Sequence, residues 1–130
     1  MGYYSSLSGQ IDIDPPLDAR ELRTCVWLRP TANIHVEISE TQVDTDDGVL
    51  TKKSGPTLVP YGEHTKAYDL EENVSAFVAE YAGSHRCNGS ITVEGEDAGD
   101  VWRIRVVNNV VVRETARVVW PDGTEYEATS

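Results

Sequence analysis

The stretch from Gly89 to Trp120 leaves this chain few choices of fold. Ile91 and Val93 alternate with Ser90, Thr92 and Glu94, and Trp102, Ile104 and Val106 alternate with Arg103 and Arg105. Val110, Val112, Ala116, Val118 and Trp120 make a third alternation, broken only at Glu114. A period of two belongs to strands with one buried face and one wet face. The β-branched residues that dominate here suit a pleated surface. Three consecutive antiparallel strands are therefore expected.

The corner at Asn108-Asn109 decides which residues meet. A two-residue loop would set Ile104 against Arg113 and put an arginine on the apolar face. A three-residue loop, Val107–Asn109 with Asn109 left-handed, sets Val106 against Val110 and Ile104 against Val112. A slip of one residue exchanges the two faces of a strand, so the hydrophobic pattern favours the three-residue loop. The expected buried face is then Trp102, Ile104, Val106, Val110, Val112, Ala116 and Val118. The opposite face would carry Arg103, Arg105, Arg113 and Arg117, with Arg103 directly across from Arg113. Like charges so placed repel, and an acid nearby or full solvation is required.

The preceding residues supply more strands and two helices. Residues 3–13 alternate (Tyr3, Leu7, Ile11, Ile13), and Gly9 marks a bulge or a close approach of backbone. Asp14-Pro15-Pro16 is expected to stop that strand and open a short helix over residues 17–25. Ile34, Val36 and Ile38 form a second strand. Asp44–Gly48 is a turn, and a strand returning from it is expected to break at Ser54-Gly55-Pro56. Leu70, Val74, Phe77 and Tyr81 have helical spacing over residues 68–83. Asp69 with Glu72 reads as its cap, and Gly83 as its end. After Pro121-Asp122-Gly123 a polar tail runs from residue 121 to 130.

The expected order is β-α-β-β-α-β-β-β in one domain spanning residues 1–130. It lacks the repeated alternation of a parallel sheet. The fold class is therefore α+β: one antiparallel sheet of five to six strands with two helices on one face. Its first six elements match a ferredoxin-like arrangement with extra C-terminal strands.

Charge narrows the function. The 130 residues carry a formal net charge of -11, which opposes direct binding to nucleic acid or to an anionic membrane. No apolar run is long enough for a membrane span, and no signal peptide is evident. Cys25 and Cys87 fit no metal spacing and read as free thiols of a reducing cytoplasm.

Four arginines on one sheet face form the sharpest candidate site, because guanidinium forks suit carboxylates and phosphates. Arg103, Arg105, Arg113 and Arg117 would bind an anionic ligand, such as a nucleotide, or an acidic partner. The plainer alternative is a cross-strand charge ladder with Glu37 or Glu94. The acidic loop Glu94, Glu96, Asp97, Asp100 is a weak candidate for a hard cation, and no metal is expected there. Asp44, Asp46 and Asp47 start like a calcium loop, but its twelfth position is Gly55. His85 and Cys87 make a weak catalytic pair, since nothing marks either as activated. No cofactor motif and no catalytic residue is identified, so an enzyme is not expected. The acids could also imitate DNA and inhibit a DNA-binding protein.

Gly9-x-Ile11-x-Ile13-x-Pro15-Pro16-Leu17, Gly95-Glu96-x-x-Gly99-Asp100-x-Trp102-Arg103 and Trp120-Pro121-Asp122-Gly123 resemble a family of small uncharacterised proteins of actinobacteria and their phages. The resemblance transfers no site. It implies a cytoplasmic accessory protein, phage-encoded, and the expected function is a non-enzymatic binding protein that works through the exposed sheet face or the acidic loops and inhibits or modulates a host protein.

Overall fold

The computed structural model describes residues 5–28, 33–61, 64–65, 69–97 and 99–126. The expected strand start at Tyr3, the expected helix start at Tyr68 and residues 127–130 of the expected tail lie outside them. The elements are β1 (Ser5–Leu17), α1 (Ala19–Arg23), β2 (Ile34–Thr45), β3 (Gly48–Pro60), β4 (His64–Thr65), α2 (Leu70–Tyr81), β5 (Arg86–Glu94), β6 (Val101–Val107) and β7 (Val110–Thr115), with a 3-10 turn at Val26–Leu28. One antiparallel sheet has the order β2-β3-β1-β5-β6-β7, and β4 pairs with the start of β1. Each helix joins two strands across a third: β3 lies between β1 and β2, and β1 lies between β3 and β5. The α+β class and the single antiparallel sheet are as expected.

One face of the sheet is dry. Ile11, Leu58, Ile91 and Ile104 are fully buried along it, beneath Leu70, Val74 and Phe77 of α2. Each such side chain contributes about 1.5–3 kcal/mol by leaving water. The α2 stripe follows the spacing read from the sequence. Trp27 packs edge-on against Phe77 at 6.1 Å and donates its indole N–H to Glu80. The other face carries Ser6, Ser8 and Gln10 of β1 beside Thr92 and Ser90 of β5, and it is wet.

The helix ends differ from expectation. Pro15 and Pro16 stay inside β1, and α1 starts after Asp18, three residues further on. Asp18 accepts from the Glu21 N–H, and Glu21 accepts from the Asp18 N–H, a capping box. Asp69 begins α2 with φ 62° and makes no side-chain cap bond. Gly83 is not left-handed, and Ala82 caps α2. Ser54-Gly55-Pro56 does not break β3, because pairing with β2 continues past it through a bulge.

The corner takes the two-residue form, so the expected register is overturned. Asn108 and Asn109 have φ 47° and 69°, the conformation of a type I′ hairpin, whose twist suits the flanking strands. Val107 pairs with Val110, Arg105 with Val112, Ile104 with Arg113, and Arg103 with Glu114. Side chains anchor this corner to β5. The Asn109 amide oxygen accepts from the Cys87 N–H at 2.6 Å, and its amide N–H donates to the His85 carbonyl at 2.8 Å. The Asn88 amide oxygen accepts from the Asn108 N–H at 2.8 Å. Hydrophobic alternation is blind to these bonds. Ile104 and Val106 are buried as expected, and Trp102 packs partly buried against the core. Val111 joins them, whereas Val110, Val112, Ala116 and Val118 are exposed. Beyond β7 the chain turns at Pro121-Asp122-Gly123, and Val119 bridges to Glu125, so the front of the expected polar tail is folded back.

The close approach expected at Gly9 exists and is doubled. Gly9 (φ 105°) lies against Ser90 of β5, and Gly89 (φ 145°) lies against Gln10 of β1. A Cβ at either would sit 2.3 Å from a backbone oxygen of the neighbouring strand. Gly89→Ala is therefore expected to cost about 3 kcal/mol in urea unfolding. Gly83→Ala, with open space around it, should change stability by under about 1 kcal/mol. Equal effects would mean that the β1–β5 approach is not tight.

Candidate functional site

The two-residue corner splits the four arginines. Arg103 and Arg105 project from β6 on the wet face, one residue apart in parity from buried Ile104. Glu114 projects between them from β7. Arg103 Nε and Arg105 Nε each donate to Glu114 Oε1 at 2.8 Å, and Arg105 Nη2 donates to Glu114 Oε2 at 3.3 Å. Bonds from Arg105 and then Arg103 hold the Glu114 carboxyl below the usual glutamate range. The acid required near Arg103 is thus Glu114, not Glu37 or Glu94. It is the residue that interrupts the apolar alternation of β7, so its signal was present in the sequence.

Arg113 is on the opposite face from Arg103 and Arg105, contrary to expectation. Its guanidinium stacks over the Trp102 ring at 4.0 Å, a cation–π contact. It lines a small cleft with Asp69, Glu71 and Glu72 at the start of α2. Arg117 lies past β7. Its Nη2 donates to Glu125 Oε2 at 3.0 Å and its Nε to Glu125 Oε1 at 3.2 Å. That fork raises the Arg117 guanidinium and lowers the Glu125 carboxyl relative to their ordinary values. A cleft of about 340 Å³ beside the Arg103–Glu114 pair is lined by Thr92, Trp102 and Thr115 among others.

Neither alternative constellation is assembled as a site. In the acidic loop, Gly95 N–H donates to the Asp100 carbonyl and Asp100 N–H to the Asp97 carbonyl. Among the described residues no three His, Cys, Asp or Glu side chains converge as metal ligands, at Glu94, Glu96, Asp97 and Asp100 or elsewhere. Asp44, Asp46 and Asp47 occupy an exposed hairpin end. Cys25 and Cys87 are both free and buried.

His85 points away from chemistry. Its Nε2 lies 2.6 Å from Glu21 Oε2 and its Nδ1 2.5 Å from the Pro15 carbonyl oxygen. Both partners are oxygen atoms, and the buried ring lies between them. This joins the α1 capping box, the end of β1 and the start of β5. Cys87 is fully buried, and burial pushes its thiol up to about 11. Burial likewise raises the Tyr81 hydroxyl, helped by its bond with Cys25.

Exposed apolar residues mark this end of the molecule, among them Val110, Val112 and Val118, which were expected on the buried face. Val110, Val112, Val118, Val119 and Trp120 are exposed on and just after β7. Trp120 is 56% exposed.

Residues 1–129 match the model of a protein family described as one of unknown function. No curated protein and no solved structure matches the chain. Among the described residues no helix is long and apolar enough to cross a membrane.

Two outcomes follow from this geometry. Wild-type protein should show no rise in melting temperature with tripolyphosphate, because the Glu114 carboxylate already bridges Arg103 and Arg105. Glu114→Gln should gain a rise of about 3 °C at saturating anion. An equal response of the wild type would show the forks to be free. In a Cys25→Ser chain, Cys87 should react with a disulfide reagent at pH 8 about 100-fold more slowly when folded than in denaturant, since the thiolate is the reactive form. Comparable rates would place it in solvent.

Proposed function

The chain belongs to that family, DUF6205, and as its description carries no activity, we propose a function from the surface itself: a non-enzymatic protein-binding module that docks its partner on β6, β7 and the folded-back segment after them. The observation that carries this reading is the row of exposed large apolar residues there, Val110, Val112, Val118, Val119 and Trp120. Single exposed apolar side chains are ordinary, whereas a concentration of them beside polar groups favours an interaction site. Tryptophan and arginine are the residues most enriched at binding hot spots, and Trp120 stands here close in sequence to Arg117. Arg103, Arg105 and Arg117 each already hold a carboxylate, which supports a protein surface with satisfied charges over a nucleotide pocket.

The resemblance noted in the sequence extends the proposal to a cytoplasmic accessory factor, phage-encoded, that modulates a host protein. Its acidity supports a partner that is not nucleic acid.

Affinity capture from cells of the source, with variants as controls, tests the surface. A protein retained by the wild type should be lost with Val112→Asp and reduced at least about 10-fold with Trp120→Ala, a loss of roughly 1.4 kcal/mol or more. Both positions are exposed, so the melting temperature should stay within about 2 °C. Retention unchanged by both substitutions would remove this surface as the contact.

A further inference from the structure

An aspartate or asparagine precedes glycine at Asp47-Gly48, Asn88-Gly89 and Asp122-Gly123. Such a pair carries a reaction of its own. The nitrogen of the glycine can attack the side-chain carbonyl carbon before it and close a five-membered imide. Glycine permits this best, since no Cβ hinders the nitrogen. The backbone must first rotate out of its strand or turn, so local order decides which pair reacts.

The fold restrains two of the three. Asn88 lies in β5, and its amide oxygen accepts from the Asn108 N–H at 2.8 Å. Gly89 pairs with Ile11 on one side and Val106 on the other. A Cβ at Gly89 would sit 2.3 Å from the Gln10 carbonyl oxygen, so no room is left for the rotation. Asp122 Oδ1 accepts from the Thr124 hydroxyl at 2.6 Å and from the Thr124 N–H at 2.9 Å. These bonds, the hydroxyl first, lower the Asp122 carboxyl relative to its ordinary value. They favour the ionised form, which is the poorer electrophile.

Asp47 has neither restraint. β2 and β3 run past the sheet as a two-stranded arm, and from Ser39–Ser54 to Thr45–Gly48 they pair only with each other. Every residue from Glu37 to Lys53 is exposed. Such a ribbon is marginal by itself, so its end opens readily. Among the described residues no hydrogen bond or ion pair engages the Asp47 carboxylate. Gly48 has φ 125°, and nothing lies within 4 Å of where its Cβ would be. Thr45 Oγ1 closes the turn by donating to the Gly48 carbonyl at 2.8 Å, without touching the Asp47 side chain.

We propose that the fold directs backbone modification to Asp47-Gly48, where Asp47 converts to isoaspartate and becomes a substrate for carboxyl methylation. The Gly48 nitrogen attacks Cγ of the protonated Asp47 carboxyl. The C–N bond forms, the Cγ–OH bond breaks, and the amide proton leaves with the hydroxyl as water. Water then opens the imide. Opening at Cγ restores aspartate. Opening at the Asp47 backbone carbonyl carbon routes the chain through Cβ and Cγ and frees that carbon as a carboxylate. The sum needs no oxidant and leaves the mass unchanged. A sulfonium donor then passes its methyl group to a carboxylate oxygen and departs as a thioether. The new link lengthens the turn by one backbone atom. The core is untouched, because no arm residue belongs to it.

The test follows the intact folded chain through incubation near neutral pH at physiological temperature. Isoaspartate is read by methyl transfer from a labelled sulfonium donor with a purified isoaspartyl carboxyl methyltransferase, and it is located by fragmentation mass spectrometry. Label at Asp47 is expected to accumulate at least about 10-fold faster than at Asn88 or Asp122. Asp47→Glu, whose longer side chain would need a six-membered ring, should gain no label there and should melt within about 2 °C of the wild type. Chain incubated in denaturant and diluted before labelling should show Asn88 first, because an amide releases ammonia without the protonation that a carboxylate needs. Label first at Asn88 or Asp122 in the folded chain overturns the proposal, and so does a folded chain that stays unlabelled. Label at position 47 of the Asp47→Glu chain at the wild-type rate also overturns it. Asp47 leading equally in denaturant does so too, since the fold would then not select the site.

Discussion

Two asparagines in left-handed conformation, held by amide bonds to β5, set the geometry of the C-terminal half of this sheet. Their hairpin turn fixes how β7 lies on β6. From that register follow the position of Glu114 between Arg103 and Arg105, the stacking of Arg113 on Trp102, and the inward packing of Val111. None of these contacts exists in the alternative frame, in which Arg103 and Arg113 would repel. The hydrogen bonds from Asn109 to Cys87 and His85 and from Asn108 to Asn88 run between neighbouring strands. Each is worth about 1 kcal/mol net, and they act together with the Glu114 bridge and the inward packing of Val111.

A second constraint acts at the middle of the sheet. Gly9 and Gly89 bring β1 and β5 closer than any side chain would permit. β1 is the strand that both β3 and β5 need, so this approach organises the dry face on which α2 rests. The outer strands bear no such load. β2 and β3 can therefore extend as a ribbon, and β7 can end in an exposed apolar edge. The buried side chains are concentrated in the centre, and exposed apolar side chains are left at the margins.

The charge of the molecule is organised rather than merely large. Its arginines on the β6–β7 side are paired locally with Glu114 and Glu125 or stacked on Trp102. Acids accumulate at the hairpin arm and the loops. The β6–β7 edge is apolar with its charges paired, and the hairpin end is apolar and acidic.

Much of this architecture was legible in the order of residues. Period-two alternation announced the strands, the Leu70–Tyr81 stripe announced the long helix, and Gly9 announced a close backbone contact. These are local signals, repeated every two or every three to four residues, and burial on one side enforces them. The stop at Pro15-Pro16, the cap at Asp69 and the pairing frame at the asparagines were misread for a shared reason. Proline is tolerated inside β1 because pairing with β3 is irregular between Asp12 and Leu17, Asp69 precedes α2 with φ 62° and makes no side-chain cap bond, and the frame went to the amides of β5. The sequence by itself determined the class of fold, the dry face and the excess of acid, since these depend on composition and short-range pattern. Tertiary structure alone decided which carboxylate Arg103, Arg105 and Arg117 meet and which valines stay wet, because those outcomes depend on bonds between residues 8 to 24 positions apart whose partners no local period reveals.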